Sequence, residues 1–346
     1  MPTERTGPLA EAEVWFQRHG LPYFVPTERS AVRAALRPGR TLPLLVTVVV
    51  AAVAAGVALA WYADEITAGP ALLLAIVLVA ALWYALTALR FRPIVGWALS
   101  RTTGTLARLL PTMSRALPLL LVFVTFLFIN AEAWQMTAEL PVGLLWLTVL
   151  LFVGLGVVFL LVRLPEEVDK ADDHVDDELL ARACEGTPLQ GPCAELLADP
   201  DADPAAYAEV EGYERWNLIL ALVIVQAVQV LLLAVSVFAF FLVFGSLVME
   251  PQVQESWTGT DLQNIAWLPS VSVQLVKVSI FLAGFSGLYL TVSTVTDETY
   301  RKQFFSGVTH ELERAVGTRA VYLALRDQAV GEVTDAGTPA PPAPAG

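Results

Sequence analysis

The feature that most constrains this chain is a set of six apolar stretches, each long enough for a membrane-spanning helix: Leu44 to Tyr62, Pro70 to Leu89, Leu117 to Met136, Val142 to Leu164, Asn217 to Met249 and Ser272 to Val295. Crossing the hydrocarbon core takes about 20 apolar residues as helix, because every backbone N–H and C=O must be satisfied within the segment. A β-barrel would instead read as short alternating segments, and the sequence has no such run. Composition agrees. Of 346 residues 56% are hydrophobic and 16% charged, with a mean hydropathy of +0.61, which is too apolar for an ordinary soluble domain. The sequence therefore predicts an all-α membrane protein with six transmembrane helices and amphipathic helices outside them. The fifth stretch exceeds the length of a crossing and should tilt or project at one end.

Charge sets the expected orientation. Arginines precede the first stretch (Arg5, Arg18, Arg29, Arg33, Arg37, Arg40), recur between the second and third (Arg90, Arg92, Arg101, Arg108, Arg115), and follow the sixth with Lys302 among them. The intervening loops carry Asp64, Glu65, Glu139, Glu250, Glu255 and Asp261, with no Lys or Arg. By the positive-inside rule both termini are cytoplasmic, in the plasma membrane of the cell. The first apolar run begins too late for a cleavable signal peptide and reads as an uncleaved anchor.

The expected organisation is then as follows. Residues 1–42 form N-terminal interfacial helices, and 43–164 hold the first four spans with a basic interfacial segment at 90–116. Residues 165–215 form an acidic cytoplasmic loop, and 216–296 hold spans five and six with an outer loop at 250–270. Residues 297–328 form an amphipathic helix, and 329–346 a disordered Pro/Ala tail.

The acidic loop holds sixteen Asp and Glu against Lys170, Arg182 and Arg215, a net of −13 that equals the charge of the whole chain. One reading is a solvated, partly helical loop; the sharper one is an electrostatic latch that docks on the basic segments. Within it, Asp169, Asp173, Asp176 and Asp177 lie near one helix face beside His174. That arrangement suits a hard divalent cation, although it lacks the alternating ligands and glycine of an EF-hand and equally suits a helix N-terminus without metal. The two cysteines, Cys184 and Cys193, face a reducing compartment on this topology and read as small buried hydrophobes.

Outside the spans, Trp15, Phe16, Tyr23 and Phe24 beside several arginines suit a membrane interface, or packing against the protein's own loops. Arg101, Thr105, Arg108 and Thr112 form a polar stripe at helical spacing, which predicts a helix on the inner leaflet with a general attraction to anionic lipid. The segment after the sixth stretch repeats apolar residues from Phe304 to Tyr322 at helical spacing and predicts an amphipathic helix that packs within the same chain.

Three spans carry polar residues on one face each. These are Glu132 and Gln135 in the third, preceded by Asn130; Gln226, Gln229 and Ser236 in the fifth; and Gln274 and Lys277 in the sixth. Ionisable groups in spans face the bundle interior and find partners. Glu132 lies roughly 6 Å and Lys277 about 12 Å from the outer ends of their spans, so the expectation is a Glu132–Lys277 pair with the neighbouring amides sharing its hydrogen bonds. Such a pair joins two helices, or it lines a route for an ion or small solute.

No catalytic motif, cofactor loop or metal-ligand spacing emerges, and there is no basic nucleic-acid module. The segment GFSG, Gly284 to Gly287, is similar to the GxSG of rhomboid proteases, but His19, His174 and His310 all lie outside the spans, which leaves Ser286 without a base. WFQRHGLPYFV, FLFINAEAWQ and FSGLYLTVSTVTDETYRKQFF resemble segments of multi-pass membrane proteins of high-GC actinobacteria, and that resemblance implies no activity or cofactor. The sequence points first to a non-enzymatic membrane scaffold, whose partners are the bilayer, a second copy or another membrane protein. Transport through the polar stripes is the alternative.

Overall fold

Proline sets the starts of four helices, α1 (Pro8–Arg18), α2 (Pro26–Ala35), α3 (Pro38–Ala63) and, later in the chain, α12 (Pro251–Thr258). A proline at the first helical position lacks only an N–H that would have no intrahelical partner there. The structure is a computed structural model and describes residues 7–63, 68–100, 121–173, 175–265, 268–296 and 298–336. The remaining helices are α4 (Ala68–Thr87), α5 (Phe91–Ser100), α6 (Leu121–Phe128), α7 (Ala131–Glu139), α8 (Val142–Asp172), α9 (Asp177–Cys184), α10 (Gln190–Ala198), α11 (Gly212–Val248), α13 (Val273–Thr296) and α14 (Glu298–Ala336). A short antiparallel hairpin, β1 (Asn264–Ile265) with β2 (Leu268–Ser272), lies where a plain loop was expected.

Four helices are long and apolar enough to cross a membrane: Pro38–Tyr62, Val142–Asp172, Gly212–Val248 and Val273–Thr294. Two further candidates are bent pairs, Leu72–Thr87 with Phe91–Ser100 at 94° and Leu121–Phe128 with Ala131–Glu139 at 71°, so the described residues hold four to six candidate spans. The third apolar stretch is therefore not the continuous helix the sequence predicts. Asn130 takes an extended conformation and its side-chain oxygen accepts the Glu132 N–H at 2.8 Å, so it caps a new helix in mid-stretch. At the other end of the chain, α14 continues to Ala336, past the point where the tail was expected to begin. Arg101, Thr105, Arg108 and Thr112 lie outside the described residues.

The chain divides into two compact units. One comprises Ala31–Leu164 and Ala221–Phe305. Here α11 and α13 form the centre, with 44% and 50% of their apolar windows buried, against 11% for α3 and 17% for α8. Phe128 stacks on Phe241 at 4.7 Å in the core, with Trp134, Leu233, Leu275 and Leu282 around them. The α3–α4 hairpin is held by close backbone approach, since a Cβ on Gly56 would stand 2.8 Å from the Gly69 carbonyl oxygen.

The other unit gathers Met1–Ser30, Pro165–Leu220 and Ser306–Gly346. The acidic segment is thus part of a folded body rather than only a solvated loop. Its helices α9 and α10 bury Leu179, Leu180, Leu189 and Leu196. Phe16 of α1 meets Phe24 and Tyr322 edge-on at 5.4 and 5.5 Å. Gly317 lets α14 lie directly under α9, where a Cβ would stand 2.6 Å from that of Ala183, and the Thr318 hydroxyl donates to the Ala183 carbonyl at 3.1 Å. Of the apolar repeat expected along this helix, Leu312, Ala315 and Tyr322 are buried, the last against Phe16.

Candidate functional site: polar clusters of the two units

In the first unit the polar residues of the apolar stretches do not converge on one face. Helix α7 ends because Pro141 holds Leu140 extended, which leaves the last carbonyls of α7 without helical donors. The Lys277 ammonium fills that gap, donating to the carbonyl oxygens of Ala138 at 2.9 Å and Leu140 at 2.8 Å. A cation at this end also complements the helix dipole. Glu132 lies in the first turn of the same helix, exposed, at the end where the dipole favours an anion. The two charges thus serve opposite termini of α7, about 9 Å apart along its axis between residues 132 and 138. The expected Glu132–Lys277 ion pair is absent among the described residues. The bend also breaks the third stretch just before Glu132, and Gln135 is exposed.

Asn130 acts as the cap, and Trp134 secures the bend by donating its indole N–H to the Phe128 carbonyl at 2.7 Å. Gln274 spans the loop before α13: its amide donates to the Asp261 carbonyl and its side-chain oxygen accepts the Gln263 N–H, both at 3.3 Å. Beside it lies a cluster the sequence reading missed. Gln254 donates to the Met249 carbonyl at 2.9 Å and accepts from the Ser272 hydroxyl at 2.6 Å, and that hydroxyl accepts the Leu275 N–H at 3.0 Å. Ser272, standing immediately before an apolar run, was the legible signal of a helix cap.

The α11 residues behave differently. Gln226 and Gln229 are buried, and the Gln226 Nε2 and Gln229 Oε1 atoms have no hydrogen-bond partner. The Ser279 hydroxyl on α13 is likewise buried and unpartnered. Ser236 is exposed and returns its hydroxyl to the Leu232 carbonyl at 2.8 Å, so the expected α11 stripe stops short of it.

In the second unit the polar centre is ionic. Glu214, only 3% exposed, is held between the guanidinium groups of Arg319 and Arg29. Arg319 also donates from Nη1 to the carbonyls of Tyr207 at 2.8 Å and Glu209 at 3.0 Å, so this buried cation is held by the carboxylate and two main-chain oxygens. Asn217 bridges the backbone of the turn after α1, accepting the Tyr23 N–H and donating to Gly20, each at 2.8 Å. Tyr23 is consequently buried inside the unit rather than laid out at an interface, and burial, with Tyr213 beside it, raises its phenol above the ordinary value. Trp15 is half-buried, stacked on His19 at 4.0 Å with the Arg314 guanidinium 5.4 Å from its ring centre.

Two of the acidic residues considered for a cation have other roles: Asp176 caps α9 by accepting the Leu179 N–H at 2.8 Å, and Asp169 pairs with Arg215 at 2.8 Å, while His174 lies outside the described residues. Cys184 and Cys193 are buried free thiols; the hydrogen bond with Cys193, together with burial, pushes the Cys184 thiol up. No family model, curated protein or solved structure matches the chain. Its class is therefore defined by its own architecture: an α-helical protein with several helices able to cross a membrane, joined to a unit assembled from three distant segments.

Proposed function

We propose that this is a six-span protein of the plasma membrane, with both termini cytoplasmic, that works as a non-enzymatic scaffold or assembly partner. The observation that carries the reading is the unit built from Met1–Ser30, Pro165–Leu220 and Ser306–Gly346 around buried Glu214. A membrane protein that gathers three separate segments outside its apolar core into one compact unit presents a surface for another protein. The use of Lys277 as a helix cap supports the same reading, because a charge fixed on two carbonyls is not free to carry an ion.

Transport is the second reading, and the orphaned Gln226 Nε2, Gln229 Oε1 and Ser279 Oγ atoms favour it, since buried polar atoms without partners can mark a hydrated path. Reconstitution into liposomes with ion and proton flux assays separates the two. The scaffold reading expects no flux above protein-free liposomes, together with migration in mild detergent as a complex heavier than the 37.4 kDa chain. Flux that Gln226→Leu and Gln229→Leu abolish in folded protein would overturn it. For orientation, a cysteine placed in 250–265 should react with an impermeant reagent on intact cells while one in 199–203 stays protected; the reverse pattern would invert the topology.

A further inference from the structure

The unit that contains the candidate spans has a cavity of about 640 Å³ between α8, α11 and α13, lined almost entirely by hydrocarbon. Its floor is small and buried, with Gly156, Ala283, Gly287 and Thr291. The hydroxyl of Thr291 is already committed to the Gly287 carbonyl at 2.9 Å. A water molecule needs two to four polar partners, and this cavity offers too few, so it is not a solvent site. A polar solute would also lack the few directional groups that orient ligands in binding pockets.

The rim is formed by Trp146, Val153, Leu231 and Val235, which are 48%, 55%, 61% and 55% exposed. On helices that cross a bilayer, side chains exposed in this way face lipid, so the cavity is continuous with the lipid-facing surface. Whatever fills it arrives from the bilayer. The lining runs from Trp146 to Leu160 on α8, about 21 Å at the helical rise, which is more than half of a hydrocarbon core about 30 Å thick. Its length therefore suits a chain from one leaflet. At one end, Arg163 follows Leu160 by three residues on α8, a helical spacing that returns it toward the lining face, so a basic residue lies just beyond that end of the cavity.

We propose that this cavity is a binding site for one acyl chain of a membrane phospholipid, retained as a structural ligand rather than exchanged as bulk lipid. The site goes beyond the scaffold reading and does not depend on it, because retention of lipid is measured without any partner protein.

The test reconstitutes the full chain in nanodiscs containing phosphatidylcholine with a diazirine in one acyl chain, returns it to detergent, washes it extensively, irradiates it and maps the cross-linked peptides. Cross-links to residues 227–238 and 280–291 should survive washing, while those at Val162 and Leu247, lipid-facing at 71% and 80% exposure, should disappear. Ala234→Phe, which fills the cavity, should lower the retained probe at least several-fold with the thermal midpoint preserved. Cavity cross-links that wash out as fast as those at Val162 and Leu247 would overturn the proposal in wild-type protein alone. So would preferential retention of a diazirine fatty acid lacking a headgroup, or a disulfide-trapped dimer formed by Leu231→Cys that excludes the probe.

Discussion

Lys277 carries the sharpest prediction at the scale of single residues. Its ammonium supplies the donors for the carbonyls of Ala138 and Leu140, so Lys277→Met leaves two acceptors unsatisfied in a low-dielectric setting. Denaturant unfolding in detergent should show a loss of about 1–3 kcal/mol. Glu132→Gln removes only an exposed charge at the start of α7 and should cost less than about 1 kcal/mol, and the two changes should add to within about 0.5 kcal/mol; a larger coupling would restore the ion pair. Tyr23 gives a pH prediction of definite sign. Its raised phenol pKa means that the folded unit favours the neutral form. The stability it contributes is complete below the unfolded value near 10 and is lost as pH rises above it. Tyr23→Phe should therefore flatten the alkaline decline of the thermal midpoint above pH 10, and an unchanged slope would assign that decline to other groups. The sequence singled out Lys277 as an ionisable residue in an apolar stretch, but not its partners. Those are main-chain oxygens that become acceptors only where a helix ends.

At the scale of elements, the break in the third apolar stretch and the passage of α14 under α9 are the two decisive local events. Asn130→Ala removes the oxygen that caps α7 and should cost about 1 kcal/mol, seen as a lower midpoint on thermal unfolding in detergent. Gly317→Val adds side-chain atoms beyond a Cβ that would already sit 2.6 Å from Ala183. It should destabilise by about 1–3 kcal/mol, as overpacked cores do. Gly154→Ala serves as the control: a Cβ there meets nothing within 4 Å, so its midpoint should hold or rise. The helices themselves were legible, because apolar length and proline placement act locally. The break was half-legible: Asn130 reads as a cap by type, yet an uninterrupted apolar run argues equally for a continuous helix. The indole of Trp134 on the Phe128 carbonyl helps to decide between them.

At the scale of the whole molecule, the second unit rests on contacts between remote parts of the chain. The Tyr322 hydroxyl donates to Glu13, Tyr23 meets Asn217, and Arg319 meets Glu214. Arg319→Leu removes one of two cations from a buried carboxylate and should cost about 3–5 kcal/mol. Limited proteolysis should then cut within 199–211 far faster than in wild type, while peptides of α11 and α13 beyond residue 221 stay protected. Loss of both together would show that the two units unfold as one. By itself the sequence determined that this is a helical protein with membrane-crossing segments, and approximately where those segments lie, because hydropathy and helix length are properties of neighbouring residues. Only the tertiary structure decided that the acidic segment folds with the two ends of the chain, that Glu214 and not Glu132 is the buried partnered carboxylate, and that Lys277 closes a helix. Each of these depends on which distant donor or acceptor is left unsatisfied at one place, and no local pattern of residues encodes that.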